Sequence, residues 1–256
     1  MSPHAPPLRG SLPQDGEGAQ SVPGPGADPA WGGPAPDRVS PHALPLIHAD
    51  EHLLVFDKPA GLLAVPGRGP ENQDCLSARA QTRYPDALIV HRLDMATSGL
   101  IVMARGIDAQ RRLSMAFEKR RVHKRYTAAV AGELHNPQPD NGWNSIDLPL
   151  IVDWLARPRS KVDHEIGKPS LTRWRLAPDP APVPGSTRLE LEPVTGRSHQ
   201  LRVHLMAIGF PIVGDPLYAS EAQQAMAPRL LLHAQAIEIP HPATDQPMRF
   251  EAPCPF

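Results

Sequence analysis

Three groups of residues in this 256-residue chain have the types and spacing for chemistry. The first is Val90-His91-Arg92-Leu93-Asp94-Met95-Ala96-Thr97-Ser98-Gly99-Leu100, which sets an imidazole, a guanidinium and a carboxylate between two apolar runs. Loops held by a rigid sheet are favoured places for reactive side chains. The plainer reading is an Asx-type turn, with Asp94 capping local N–H groups beside Thr97 and Ser98. The second group is Gly196-Arg197-Ser198-His199-Gln200-Leu201-Arg202-Val203-His204. Ser198 and its neighbours are expected to open a helix, whose unpaired N–H groups and dipole favour an anion. Arg197, at that mouth, could pair with a carboxylate from another loop, hold it ionised and aim it. The alternative is an ordinary capped helix with His199 and Arg202 facing solvent. Third comes Tyr126, in Lys124-Arg125-Tyr126. A strand tyrosine is ordinarily half-buried packing, and it gains interest only if Asp94 and Arg197 converge beside it.

Charge adds a second signal. The formal net charge is −1, which excludes a wholly basic coat-type protein. The near-zero total hides segregation, however. Residues 105–125 carry eight Lys/Arg (Arg105, Arg111, Arg112, Lys119, Arg120, Arg121, Lys124, Arg125) against Asp108 and Glu118, and 157–175 carry six against Asp163 and Glu165. Two basic blocks of this kind suggest phosphate contacts. Aromatics make up only 5% and form no RNP-type run, so a platform gripping many bases is not expected. Cys75 and Cys254 are too few for a disulfide framework or a cysteine-rich zinc site. His199 and His204 do not share a helix face as paired zinc ligands would, and no acid or cysteine clusters beside them; no metal is expected.

The elements that must position these groups can be read from pattern. Residues 1–41 hold 10 of the 33 prolines and 7 of the 19 glycines without apolar periodicity, which predicts a disordered leader before a folded domain over 42–256. Leu53–Phe56, Leu88–Val90, Leu100–Ala104, Tyr126–Ala131, Thr187–Glu192, Leu230–Ile239 and Met248–Phe250 read as strands, with 91–99 as a loop. Asp74 is expected to cap a helix ending near Tyr84 before Pro85, and Asp108 a helix through Arg120 with Leu113, Ala116 and Phe117 on one face. Leu201, Leu205 and Ile208 form the stripe of a third helix ended by Gly209. Many strands joined mainly by loops predict an α+β fold around a mixed, mainly antiparallel sheet. No apolar run is long enough to span a bilayer and no secretory signal is visible, so a soluble, cytoplasmic protein is expected.

Taken in order, the motifs resemble those of the RluA family of RNA pseudouridine synthases. Lys58-Pro59-Ala60-Gly61-Leu62 is similar to that family's first motif, His91-Arg92-Leu93-Asp94 with Thr97-Ser98-Gly99 to its catalytic loop, Tyr126 to its strand tyrosine, and Gly196–His204 to its third motif. Asp147-Leu148-Pro149-Leu150-Ile151, Gly167-Lys168-Pro169 and Met226–Ala234 extend the likeness toward one subgroup. That subgroup modifies one uridine of 23S rRNA and one uridine of the tRNA anticodon stem-loop. The resemblance covers roughly 46–256 and implies a pseudouridine synthase fold without the S4 RNA-binding domain that many relatives carry.

It further implies that Asp94 is the catalytic carboxylate, that Arg197 pairs with it, and that Tyr126 packs on the target uracil. Arg92 would occupy the space left by a flipped base, with His91, Thr97, Leu201, Lys124 and Arg125 completing the RNA contacts. No cofactor, metal or membrane is implied; RNA is the partner and a monomer is expected. Two rivals remain at this point: a noncatalytic RNA-binding protein using the same basic blocks, and a nucleoside or glycoside hydrolase using Asp94, which would ordinarily want a second carboxylate.

Overall fold

A computed structural model describes residues 44–135 and 142–256. The proposed leader, 1–41, lies outside the described residues. One large sheet organises the rest. Its path runs β1 (Leu46–Ala49), β2 (Leu53–Lys58), β4 (Ser98–Arg105), β11 (Leu232–Pro240), β5 (His123–Ala131), β10 (Ser186–Pro193), β9 (Leu171–Leu176) and β6 (Asn144–Asp147). The short β3 (Ala87–Ile89) pairs with β4, and β12 (Pro247–Glu251) with β11. All these pairings are antiparallel except β4 with β11. A separate hairpin joins β7 (Leu150–Val152) to β8 (Ser160–Val162). The helices are α1 (Leu76–Arg83), α2 (Ile107–Glu118), α3 (Gln200–Ala207) and α4 (Glu221–Ala225). This is the α+β class the pattern predicts.

Strand periodicity explains why the central runs are apolar throughout. Leu53 and Val55 of β2, with Leu100, Val102 and Ala104 of β4, pack under Ala109, Leu113 and Ala116 of α2. Their neighbours Leu54, Phe56, Ile101 and Met103 point to the other face and join Leu189, Leu191, Leu201 and Leu205. Strands covered on both faces need apolar side chains at every position. The expected Leu113/Ala116 face is buried, with Phe117 partly so.

Several boundaries differ from the expected ones for local reasons. Cys75, not Asp74, caps α1, its Sγ accepting the Ala78 N–H, while Asp74 binds Arg79. The residue before α2 is Gly106, and Asp108 sits in the first turn. Helix α3 starts later than expected, after His199 in the left-handed region (φ 55°). Gly209 does follow it at φ 89°.

Gly99 fixes how the catalytic-type loop meets the sheet. It lies opposite Ala234 in the parallel pairing of β4 with β11, at φ 109°, and an added Cβ would sit 2.4 Å from the Ala234 carbonyl oxygen and 2.5 Å from its nitrogen. Neither the dihedral nor the approach admits a side chain. Gly99→Ala should therefore lower stability by about 3 kcal/mol, the upper end of ordinary single substitutions, in denaturant unfolding. A loss under about 0.5 kcal/mol would show that the two strands can part locally.

Candidate active site

The loop between β3 and β4 and the turn before α3 face each other across a cleft of about 1250 Å³. Lys58 anchors the first of these. It is fully buried, and its Nζ donates to the carbonyls of Pro59 (2.9 Å), Leu62 (2.8 Å) and Met95 (3.1 Å). The first motif is thereby tied to the residue directly after Asp94. Burial pushes the Lys58 ammonium down to about 7, against the opposing pull of Asp94. The Thr97 N–H closes the turn onto the Asp94 carbonyl at 3.1 Å. The loop is therefore stitched by its backbone, and the Asp94 carboxylate is left to face the cleft.

What meets that carboxylate is Arg202. Its Nη1 lies 3.3 Å from Asp94 Oδ2, while Nε and Nη2 hold Asp215 in a two-pronged pair at 2.8 and 2.7 Å. Asp215 is completely buried and accepts the N–H groups of Leu217 (2.8 Å) and Tyr218 (3.2 Å) on Oδ1. Burial works against the Arg202 charge, but the bonds and charge of Asp215, then those of Asp94, raise its pKa on balance. A guanidinium locked this way can turn only one N–H edge toward Asp94.

His199 is the second neighbour of Asp94, with Nε2 3.7 Å from Oδ2. Its Nδ1 lies 2.7 Å from the Tyr218 hydroxyl, which accepts the Ser160 N–H at 2.7 Å. These bonds are best satisfied if Tyr218 donates to Nδ1, which places the remaining imidazole proton on Nε2, toward Asp94. Burial lowers the His199 pKa, opposed by the Asp94 charge. Tyr126 lines the same cleft; burial and then the Asp94 charge push its phenol upward, so it stays neutral.

The expected Arg197–Asp94 pair is thus corrected. Arg197 is exposed on the cleft rim, where its Nη2 reaches only the Pro169 carbonyl at 3.4 Å. Arg202 points inward instead, on a helix that is buried at every position from Gln200 to Leu205. The alternative of an ordinary capped helix with Arg202 facing solvent is excluded as well: Arg202 is 3% exposed. Buried Gln200 braces this turn, accepting from Thr195 (2.7 Å) and the Arg197 N–H (3.0 Å) and donating to Leu171 and Thr172.

The other expected contacts divide. Arg92 is exposed at the cleft, and Leu201 and Lys124 line it. His91 also borders it, but its Nε2 accepts the Val102 N–H at 2.9 Å and its ring stacks on Phe117; burial drives its pKa to about 3. It works as a neutral strut of the loop. Thr97 is buried in the turn. Arg125 points away: Lys124 and Tyr126 share one strand face, so Arg125 takes the other, binding Glu192 at 3.0 Å beside Trp143.

The energetics of the two arginines should differ sharply. Arg202→Met would leave Asp215 buried with no cation, at a cost of about 3–5 kcal/mol. Arg197→Ala should stay within about 0.5 kcal/mol. Denaturant unfolding of both variants checks this, and equal losses would contradict the assignment.

The family model described as RNA pseudouridylate synthase matches residues 52–207. The Escherichia coli K12 protein described as dual-specificity RNA pseudouridine synthase RluA is 49% identical over 213 residues, which is 83% of this chain and 94% of that one. The Yersinia pestis protein of the same description is 48% identical, over 82% and 99%. Among solved structures, human RNA pseudouridylate synthase domain containing 1 superposes with a TM-score of 0.69 at 27% identity, covering 86% of this chain and 87% of that one. The match in sequence and fold shows that this chain belongs to the RNA pseudouridylate synthase family, the enzymes that isomerise uridine in RNA.

Proposed function

We propose that residues 42–256 form the catalytic domain of an RNA pseudouridine synthase in which Asp94 is the reacting carboxylate. The observation that carries this reading is a cleft-facing carboxylate, Asp94, held by Arg202 on the buried Asp215, within a rim that bears Arg92, Arg120, Lys124 and Arg197. Isomerisation breaks the uracil N1–C1′ bond, turns the base and joins C5 to C1′; the C5 proton is lost and N1 is protonated. No atoms are gained or lost. Charge develops at C1′ as in glycoside chemistry, where an ionised carboxylate serves as nucleophile or as electrostatic partner and base.

The remaining parts follow from their places. Reaching C1′ in folded RNA requires the nucleotide to be flipped out, which costs a few kcal/mol. Arg92, exposed at the cleft, fills the gap left in the stack. Tyr126, neutral and beside Asp94, packs on the uracil. Arg202 orients the carboxylate, and His199 presents its Nε2 proton to the same oxygen. The basic rim gathers phosphates without reading sequence. The similarity to the dual-specificity relatives supports two substrate types, one uridine in 23S rRNA and one in a tRNA anticodon stem-loop. We take the enzyme to be cytoplasmic, monomeric and independent of metal, as the motif resemblance implies. Among the described residues, no helix is long and apolar enough to cross a membrane.

Asp94 distinguishes the enzyme from a noncatalytic RNA-binding protein. Asp94→Asn should lower single-turnover pseudouridine formation by at least about 10³-fold, within the range expected for a positioned reacting group, while RNA affinity stays within about threefold because phosphate contacts supply it. Pseudouridine mapping of RNA from a modification-deficient strain, with both proteins, gives the answer. Turnover near wild type would remove Asp94 from the chemistry; release of free uracil would favour the hydrolase.

A further inference from the structure

The hairpin of β7 and β8 stands apart from the main sheet, and its tip carries apolar surface that folding does not use. Trp154 is 70% exposed, Leu155 fully exposed, and Ile166 on the neighbouring strap 70% exposed. The tip is nevertheless well built. Asp153 Oδ1 accepts the N–H groups of Leu155 and Ala156, and Asp153 and Arg159 close the ends by a backbone bond of 2.9 Å. The Arg157 guanidinium carbon lies 3.2 Å from the Trp154 ring centroid, and its Nε donates to the Trp154 carbonyl at 3.2 Å. One face of the indole is therefore covered by a cation, and the exposure of the residue leaves the other open.

The tip is also placed and charged for a specific occupant. Pro158, at its base, lines the cleft, and the Ser160 N–H binds the Tyr218 hydroxyl that holds His199. The hairpin is thus tied to the wall of the site in which Asp94 lies. Its cations are Arg157, Arg159, Lys161 and Lys168. Of its acids, Asp153 is engaged by backbone N–H groups of the tip, and Asp163 by those of Glu165 and Ile166 at 3.1 and 3.0 Å and by Lys161 at 3.8 Å; Glu165, on the strap, is exposed, which leaves Arg157 and Arg159 as the cations of the tip itself. Unpaired RNA bases are characteristically taken up on aromatic rings and arginine planes.

We propose that the Trp154 tip is a second RNA contact, in which the open indole face stacks one unpaired base next to the flipped uridine while Arg157 and Arg159 meet the adjoining phosphates. This rests on the reading of the cleft as an RNA-modifying site and adds a position at which the substrate is recognised. It demands an unpaired, stackable base on one side of the target. A single platform of this kind also agrees with the scarcity of aromatics in the chain.

The test uses full-length wild type, Trp154→Ala and Trp154→Phe with a stem-loop that the wild type modifies, reading single-turnover rate against enzyme concentration. Trp154→Ala should raise the half-saturating concentration about tenfold, within the range for loss of one stacked base, and Trp154→Phe should recover most of it. Abasic substitution at each unpaired position near the target should abolish the difference at one position only. An unchanged thermal midpoint is expected for this exposed residue. Equal half-saturation for wild type and Trp154→Ala, or a loss that persists on every abasic RNA, would overturn the tip while leaving the enzyme reading intact. Absence of pseudouridine with wild type in every RNA would instead overturn that reading. A dimer in sedimentation that Trp154→Ala dissociates would make the tip a contact between copies and also overturn the proposal.

Discussion

A single buried guanidinium sets the geometry on which the rest of the site depends. Arg202 is gripped by Asp215, and Asp215 is in turn saturated by two backbone N–H groups. Burying such charges is costly, and what they contribute is definition rather than stability. With two of its nitrogens committed, Arg202 cannot follow a moving carboxylate; Asp94 must come to it. The opposite wall supplies the complementary constraint, since Lys58 fixes the Met95 carbonyl and Gly99 fixes the end of the loop against Ala234. Two rigid walls thus meet at one oxygen of Asp94.

The same oxygen is approached by His199, through a chain that begins at the backbone of β8. The hairpin, the turn before α3 and the Asp94 loop are therefore mechanically connected. A contact made by RNA at the hairpin tip and a contact made at the cleft are contacts with one assembly. Such a connection ties the placement of RNA at the tip to the placement of the carboxylate, and small displacements at a reacting centre are costly in rate.

The parts legible in the sequence were those governed by short-range pattern. The doubly covered runs Leu53–Phe56 and Leu100–Ala104 could hardly be anything but central strands, and the Asp94 segment between them had to be a loop. The strands Asn144–Asp147, Leu150–Val152, Ser160–Val162 and Leu171–Leu176 carry little signal: the first three are only three or four residues long, and Leu171–Leu176 interleaves Arg173 and Arg175 with its apolar residues. The choice between Arg197 and Arg202 is decided by which of the two the fold covers. Helix α3 is buried at every position from Gln200 to Leu205, so its apolar stripe of Leu201 and Leu205 gives no sign that Arg202 is covered as well. Asp215 was missed because an acid between Gly214 and Pro216 reads as an ordinary turn. Its one available signal was the apolar run Phe210–Val213 that delivers it to the interior. Arg125 was misplaced by counting a basic block without applying the two-residue period of its strand.

Asp215 lies away from Asp94 and acts on the chemistry chiefly by holding Arg202. A double-mutant cycle on the single-turnover rate of pseudouridine formation, with Asp215→Asn, Arg202→Lys and the pair, measures that directly. The account predicts that Asp215→Asn slows the reaction although it touches no substrate, and that the double variant is hardly slower than the slower single one. Rates that simply multiply, or Asp215→Asn turning over like wild type, would contradict it.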